Sequence, residues 1–105
     1  MPTIIDDVCS FTSSRSWGAR DLAAIAGATV RLHWTDQPYR WHVNDSPEVF
    51  VVLDGLVNMH FRDNEGEKQV ALRAGDIFVV NEGEAHVAHP VGQARVLVIE
   101  KAGSV

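Results

Sequence analysis

Short β-prone runs alternate with turn residues from about residue 21 to the end of the chain. The turn signals recur about every eight to twelve residues, a spacing typical of an all-β sandwich or barrel. The predicted strands are residues 22–25, 28–34, 39–42, 48–53, 56–62, 68–72, 76–80, 86–88 and 95–100. No segment shows a convincing helical pattern, so the chain is predicted to be all-β.

The 105 residues fit one domain. Residues 1–20 are rich in serine and lack a regular hydrophobic period. We predict that they form a lead-in segment that packs over the domain, anchored by Phe11 and Trp17. Residues 21–105 then form a single barrel domain.

The net charge and the hydropathy pattern of the chain indicate which kinds of partner it can bind. Nine basic residues against fourteen acidic ones give a net charge of −5, without a basic patch, which argues against binding to DNA or RNA. The first seven residues lack the basic region of a signal peptide, and the longest nearly apolar run, residues 22–30, is too short to span a bilayer. A cytoplasmic protein with no membrane partner is expected. The single cysteine, Cys9, excludes an internal disulfide.

The dipeptide Asp54-Gly55 between two apolar runs is the sharpest turn signal in the chain. A two-residue Asp-Gly loop favours the primed turns of a β-hairpin, so residues 48–53 and 56–61 are predicted to pair. This register places one set of side chains on a common face: Glu48, Phe50, Val52, Val57, Met59 and Phe61. Five of the six are large and apolar, so the face is predicted to point into the core.

Glu48 is the exception on that face. Burying a lone carboxylate is costly unless it is paired, hydrogen-bonded or bound to a metal, although a Glu at the rim of the barrel could also reach water. Just upstream, His42 and Asn44 alternate with Val43 and point to one side of an extended strand. The turn at residues 81–84 returns the chain to His86, the candidate ligand from a distant strand.

The other histidines are predicted to lie elsewhere. His60 falls on the outer face of the predicted hairpin, and His33 shares its parity with Thr29 and Arg31, which indicates solvent or a subunit interface. His89, three residues after His86, faces the opposite way in an extended strand. Three aromatic residues are read mainly as core or interface packing, with the wall of a ligand pocket as the alternative: Trp34, Tyr39 and Trp41.

Two motifs resemble those of the cupins, small jelly-roll barrels. The first family motif, G-x5-H-x-H-x3-4-E-x6-G, is matched by His42, Glu48 and Gly55, with Asp36 in place of the first Gly and Asn44 in place of the second His. The second, G-x5-P-x-G-x2-H-x3-N, is matched by Gly75, Gly83 and His86, with Asn81 and Pro90 at the Pro and Asn positions. The resemblance covers about residues 28–100 and implies a double-stranded β-helix.

The resemblance also implies a metal site. Cupins that hold a metal typically use three His and one Glu, and here His42, Glu48 and His86 remain, with Asn44 as a weaker, harder fourth ligand. Two imidazoles and a carboxylate suit a divalent ion such as Fe, Zn, Ni or Mn. The alternative is a metal-free polar cluster in which Glu48 pairs with a protonated His42 or His86.

Three functions follow from such a barrel. The first is a metal-dependent enzyme, an oxygenase or isomerase acting on a small molecule in the barrel. The second is a metal-free small-ligand-binding or sensory module, since the changed first motif fits a loss of catalysis. The third is a structural homodimer, because apolar side chains occupy the outer face of the hairpin region: Val49, Val51, Leu53 and Leu56. A homodimer is expected in the first two cases as well.

Overall fold

A computed structural model describes residues 1–104; Val105, the last residue of the predicted domain, lies outside the described residues. Six strands follow a single 3₁₀ turn at Val8–Ser10. They are β1 (Gly18–Ile25), β2 (Ala28–Thr35), β3 (Glu48–Asp63), β4 (Gly66–Arg73), β5 (Ile77–Val80) and β6 (His86–Lys101). Residues 1–104 contain no α-helix, which confirms the all-β prediction.

All strand pairs are antiparallel. The sheet runs β1-β2-β6-β3-β4, and β5 pairs with the first half of β3. The two longest strands, β3 and β6, pair along most of their length, so each contributes to both halves of the jelly-roll barrel. Their inward side chains form the core: Phe50, Val52, Val57, Met59, Ala88, Ala94, Val96 and Val98, joined by Leu72 of β4.

The predicted hairpin at Asp54-Gly55 is wrong. Residues 48–63 form one continuous strand, and the register against β6 shifts on both sides of Asp54. Gly55 has φ 92°, so the glycine serves a bulge rather than a turn, since both need a residue with positive φ. The irregular pairing around Asp54 reverses the side-chain parity of β3, as a two-residue turn would also do. Val52, Val57 and Met59 are therefore fully buried on one face, and the predicted inward face is confirmed.

Four other strand predictions also change. Residues 39–42 form no strand but only an isolated bridge, between His42 and His86. Residues 86–88 and 95–100 belong to the single strand β6. The first strand begins at Gly18 instead of residue 22; the domain boundary at residue 20 stays a prediction.

The amino-terminal segment contacts the barrel through Phe11 and Trp17. The side chain of Arg95 donates a 2.8 Å hydrogen bond to the carbonyl of Phe11, and the indole of Trp17 donates to the carbonyl of Gln37 at 2.9 Å. Trp17 also packs against the core cluster. This segment therefore closes one side of the barrel interior.

Candidate metal centre

His42 and His86 are brought together by their backbones. The amide of each donates a 3.1 Å hydrogen bond to the carbonyl of the other, the pattern of a hydrogen-bonded pair in an antiparallel ladder. The two side chains therefore project to the same side, and their ring centroids lie 4.1 Å apart. His86 is 2% exposed.

Glu48, the first residue of β3, completes the cluster. Its Oε1 atom lies 3.4 Å from Nε2 of His86 and 3.9 Å from Nε2 of His42. One donor atom from each of the three residues falls within 4.8 Å of the others. The residue is 5% exposed, so the alternative of a solvated rim carboxylate is wrong. The structure brings these three predicted ligands together, and the fourth, Asn44, contacts Glu48.

Backbone carbonyls fix the orientation of both imidazoles. Nδ1 of His42 lies 3.0 Å from the carbonyl of Arg40, and Nδ1 of His86 lies 3.1 Å from that of Glu84. A carbonyl only accepts hydrogen bonds, so each Nδ1 carries the proton. Both Nε2 atoms then face a carboxylate that also only accepts. A cation must therefore balance the cluster, either a proton on an imidazole or a metal ion among the three donors.

The ionisation of the cluster agrees with its geometry. Burial raises the pKa of Glu48, but the imidazoles of His42 and His86 and the amide of Asn44 outweigh this and lower the pKa to about 2. Burial lowers the pKa of His42, but the nearby carboxylate of Glu48 and hydrogen bonding to the Arg40 carbonyl raise it above 6.5 overall. Glu48 is thus a carboxylate at neutral pH, with or without a metal.

Asn44 contacts the carboxylate of the cluster. Its side-chain Nδ2 donates to Oε1 of Glu48 at 2.5 Å, while its buried Oδ1 has no hydrogen-bond partner in residues 1–104. The amide therefore orients Glu48. Ligation of a metal by the amide oxygen stays a prediction.

The cluster opens into a cavity of about 210 Å³. Phe50, Met59, Ala88 and Val98 form an apolar wall, and Trp17 and Tyr39 form an aromatic one, with ring centroids 5.3 Å apart. For Tyr39 the pocket-wall alternative is therefore confirmed. Neither Trp34 nor Trp41 lines this cavity.

The prediction that His33 faces solvent or a subunit interface is wrong. His33 lines the cavity, and its Nδ1 lies 3.0 Å from the carbonyl of Trp17. Burial lowers the pKa of its imidazole. His33 is opposite Val96 of β6, whose side chain points into the core, so the polar side of β2 faces the interior. Leu32, on the apolar side of β2, is only 2% exposed.

Arg31 and Glu100 also line the cavity and were missed from the sequence. Burial and the neighbouring charge of Glu48 raise the pKa of Glu100 to about 7. A signal for Glu100 existed: it continues the inward alternation of Val96 and Val98, so it is a second lone acid on an apolar face. The rings of His60 and His89 pack against each other at a tilt of 50°, with centroids 4.4 Å apart, and neither lines the cavity.

An antiparallel jelly-roll barrel with a His, Glu and His cluster inside defines a small cupin. More specifically, the chain belongs to the family of AraC-like ligand binding domains, whose family model matches residues 24–100.

Solved structures agree with this assignment. A cupin-2 domain-containing protein from Shewanella frigidimarina NCIMB 400 is 26% identical, with a TM-score of 0.77 over 91% of this chain and 89% of that chain. A cupin superfamily protein from Desulfitobacterium hafniense DCB-2 is 13% identical, with a TM-score of 0.79 over 96% and 92%. Hydroquinone 1,2-dioxygenase PnpCD in complex with Fe³⁺ is 17% identical, with a TM-score of 0.75 over 86% of this chain and 29% of that chain. None of the curated proteins matches the sequence.

No helix within residues 1–104 is long and apolar enough to cross a membrane. A cytoplasmic location stays a prediction.

Proposed function

We propose that this protein binds a divalent metal ion through His42, Glu48 and His86 and holds a small molecule in the adjoining cavity. The observation that carries the proposal is Nε2 of His86, which is buried, makes no hydrogen bond within residues 1–104 and lies 3.4 Å from a carboxylate. A buried nitrogen of this kind normally has a partner. A metal ion would satisfy it and balance Glu48 at the same time.

The donor set fits such an ion. Two imidazoles and one carboxylate suit Fe, Zn, Ni or Mn, and they leave positions open for a substrate. The Nδ1 contacts to backbone carbonyls and the Asn44 contact to Glu48 are the outer contacts that metal ligands usually have. Asn44 is the proposed fourth ligand if its amide turns.

When bound, the metal would supply Lewis-acid chemistry or the activation of oxygen, and we propose an oxygenase or isomerase reaction. Residues of the chain itself bind the small molecule and exclude water from it. The apolar wall of Phe50, Met59 and Val98 excludes water from the small molecule, and Trp17 covers it from the amino-terminal side. His42 and His86 stay fixed through their shared backbone bridge.

Elemental analysis tests the metal proposal. Protein purified without a metal-affinity column is expected to contain about one equivalent of Fe, Zn, Ni or Mn. The His86→Ala variant should lose the ion and remain folded. His60→Ala is the matched control, because His60 is a half-buried histidine outside the cavity. Wild-type protein with only traces of metal after reloading and dialysis would contradict the proposal.

The second candidate function is a metal-free small-ligand-binding or sensory module. Two observations favour it: the raised pKa of His42, which lets an imidazolium balance Glu48, and the ligand-binding family to which the chain belongs. In this case the protein contains no stoichiometric ion, and His86→Ala loses stability because it removes part of a buried polar network. The elemental analysis separates the two functions.

We further propose that the protein is a homodimer. Four apolar side chains form one row across neighbouring strands on the outer sheet face, in the order Val79, Val49, Ile99 and Val30. Val79 is 57% exposed and Ile77 beside it is 61% exposed, and a second copy would cover them. Light scattering is expected to give twice the 11.6 kDa chain mass. Val79→Asp should shift the protein to a monomer, whereas the control Val91→Asp should not.

A further inference from the structure

Arg31 presents unused hydrogen-bond donors at the cavity. Its side chain is 42% exposed, and its Nε lies 2.9 Å from Asp21 of β1. The two terminal nitrogens make no hydrogen bond to any of residues 1–104. Because Arg31 also lines the cavity, it lies between solvent and the interior. A guanidinium in this position offers a fork that matches a carboxylate.

The acid on the same cavity does not neutralise Arg31. Glu100 lines the cavity, but within residues 1–104 its carboxyl group forms no ion pair with Arg31 under 4.0 Å. The strand register separates them: Arg31 is opposite Val98, and Glu100 is opposite Thr29. Both groups are therefore available to a ligand.

Asp21 pairs with Nε of Arg31 on the exposed side and leaves the two terminal nitrogens without a partner among residues 1–104. With a divalent ion in place, its two positive charges and that of Arg31 face three negative charges, from Glu48 and Glu100 in the cavity and from the exposed Asp21 beside it. Without a metal, an imidazolium balances Glu48, and Arg31 faces Glu100 and Asp21. A ligand carboxylate is therefore selected by the two free terminal nitrogens of Arg31 and not by the net charge of the cavity.

We propose that the cavity selects small organic monocarboxylates, with the ligand carboxylate paired to Arg31 at the mouth and its apolar body against Phe50, Val98 and Tyr39. This inference rests on the proposed small-molecule cavity but not on the metal. Arg31 is then the residue that determines specificity. Its side chain enters the same cavity as the His, Glu and His cluster from another strand, so the bound molecule spans from the cation to the cluster.

Titration with benzoate and its uncharged isostere benzamide tests the proposal, followed by NMR at the indole N–H of Trp17 and the amide of Ala88. Isobutyrate and isobutyramide are a smaller matched pair that removes the effect of size. The carboxylates are expected to bind at least about tenfold more tightly than the amides. Arg31→Gln should remove this preference by weakening the binding of the carboxylates far more than that of the amides, and Arg31→Lys should restore part of it.

Arg20→Gln is the control, because Arg20 is an exposed arginine of β1 outside the cavity. The titrations are run on metal-loaded and on chelator-treated protein. A carboxylate preference that depends on Arg31 in both samples supports the proposal, even if the metal analysis fails. Equal binding of acids and amides overturns the proposal, and so does the absence of binding by either pair. A carboxylate preference that survives in Arg31→Gln, or that disappears when the metal is chelated, also overturns it.

Discussion

The backbones of His42 and His86 exchange two hydrogen bonds, although the segment around His42 belongs to no strand. This backbone bridge sets the distance between the two imidazoles independently of their side-chain contacts. The site is therefore built into the start of β6, and the side chains of Glu48 and Asn44 complete it. Its stability and its affinity for a cation should respond separately to changes in these two side chains.

Asn44→Ala removes the donor that orients Glu48. We expect metal affinity to fall by about 10- to 100-fold, as for other outer-contact changes, and the free energy of unfolding to fall by about 1–3 kcal/mol because the carboxylate loses a buried hydrogen bond. Competition with a chelating dye measures the affinity, and urea unfolding measures the stability. Asn58→Ala, outside the cavity, should leave the affinity unchanged; unchanged affinity in Asn44→Ala would contradict the positioning role.

Glu48 makes the metal-free protein sensitive to acid. Its pKa is about 2 in the fold against 4.5 ordinarily, so its contribution is complete above pH 4.5 and is lost as the pH falls towards 2. The contribution is on the order of 3 kcal/mol. Chelator-treated Glu48→Gln should therefore be less stable than wild type at pH 7 and lose less stability on acidification. The exposed Glu65→Gln should behave as wild type, and equal acid loss in Glu48→Gln would contradict the assignment.

Glu100 should give the free energy of unfolding the opposite dependence on pH. Its pKa is raised to about 7, so the folded state binds more protons than the unfolded chain between pH 4.5 and 7, and stability falls as the pH rises through this range. The lowered pKa of His33 acts in the other direction, so the difference between wild type and Glu100→Gln is the quantity to measure. In chelator-treated protein, the variant is expected to gain stability relative to wild type from pH 5 to 7. A constant difference would contradict the raised pKa.

Gly55→Ala tests the bulge. Gly55 has φ 92°, and a Cβ there would lie 2.5 Å from the carbonyl oxygen of Gln93. We expect the free energy of unfolding to fall by about 2 kcal/mol or more, since backbone strain and a clash with β6 add. Gly66→Ala is the matched control, because φ is 115° but no atom lies within 4 Å. It should cost about 1 kcal/mol, and equal losses for the two variants would show that the clash relaxes.

The sequence predicted the inward face of β3, including Glu48, because that face depends on side-chain parity. Val52 and Val57 share a face whether a turn or a bulge lies between them. The choice between turn and bulge depended on a distant partner, β6, that local propensity does not reveal. Strand alternation and the resemblance to the cupin motifs pointed to His42 and His86, but not to the bridge that joins them.

Arg31 and His33 were not identified as cavity residues because both faces of β2 are covered. The polar alternation suggested solvent on one side, whereas the amino-terminal segment and the closure of the barrel leave that side facing the interior. Which face of a strand is inside depends on the whole topology. The polar residues of the site were thus the hardest to place from the sequence.

The reversal of side-chain parity at Asp54-Gly55 also limits how this chain can change in length. Deleting one residue there would exchange the inward and outward faces of the second half of β3, so Met59 would face solvent and His60 would face the hydrophobic core. Insertions or deletions at that point must therefore come in pairs, whereas the exposed connection at Asn64 and Glu65 has no such parity to protect.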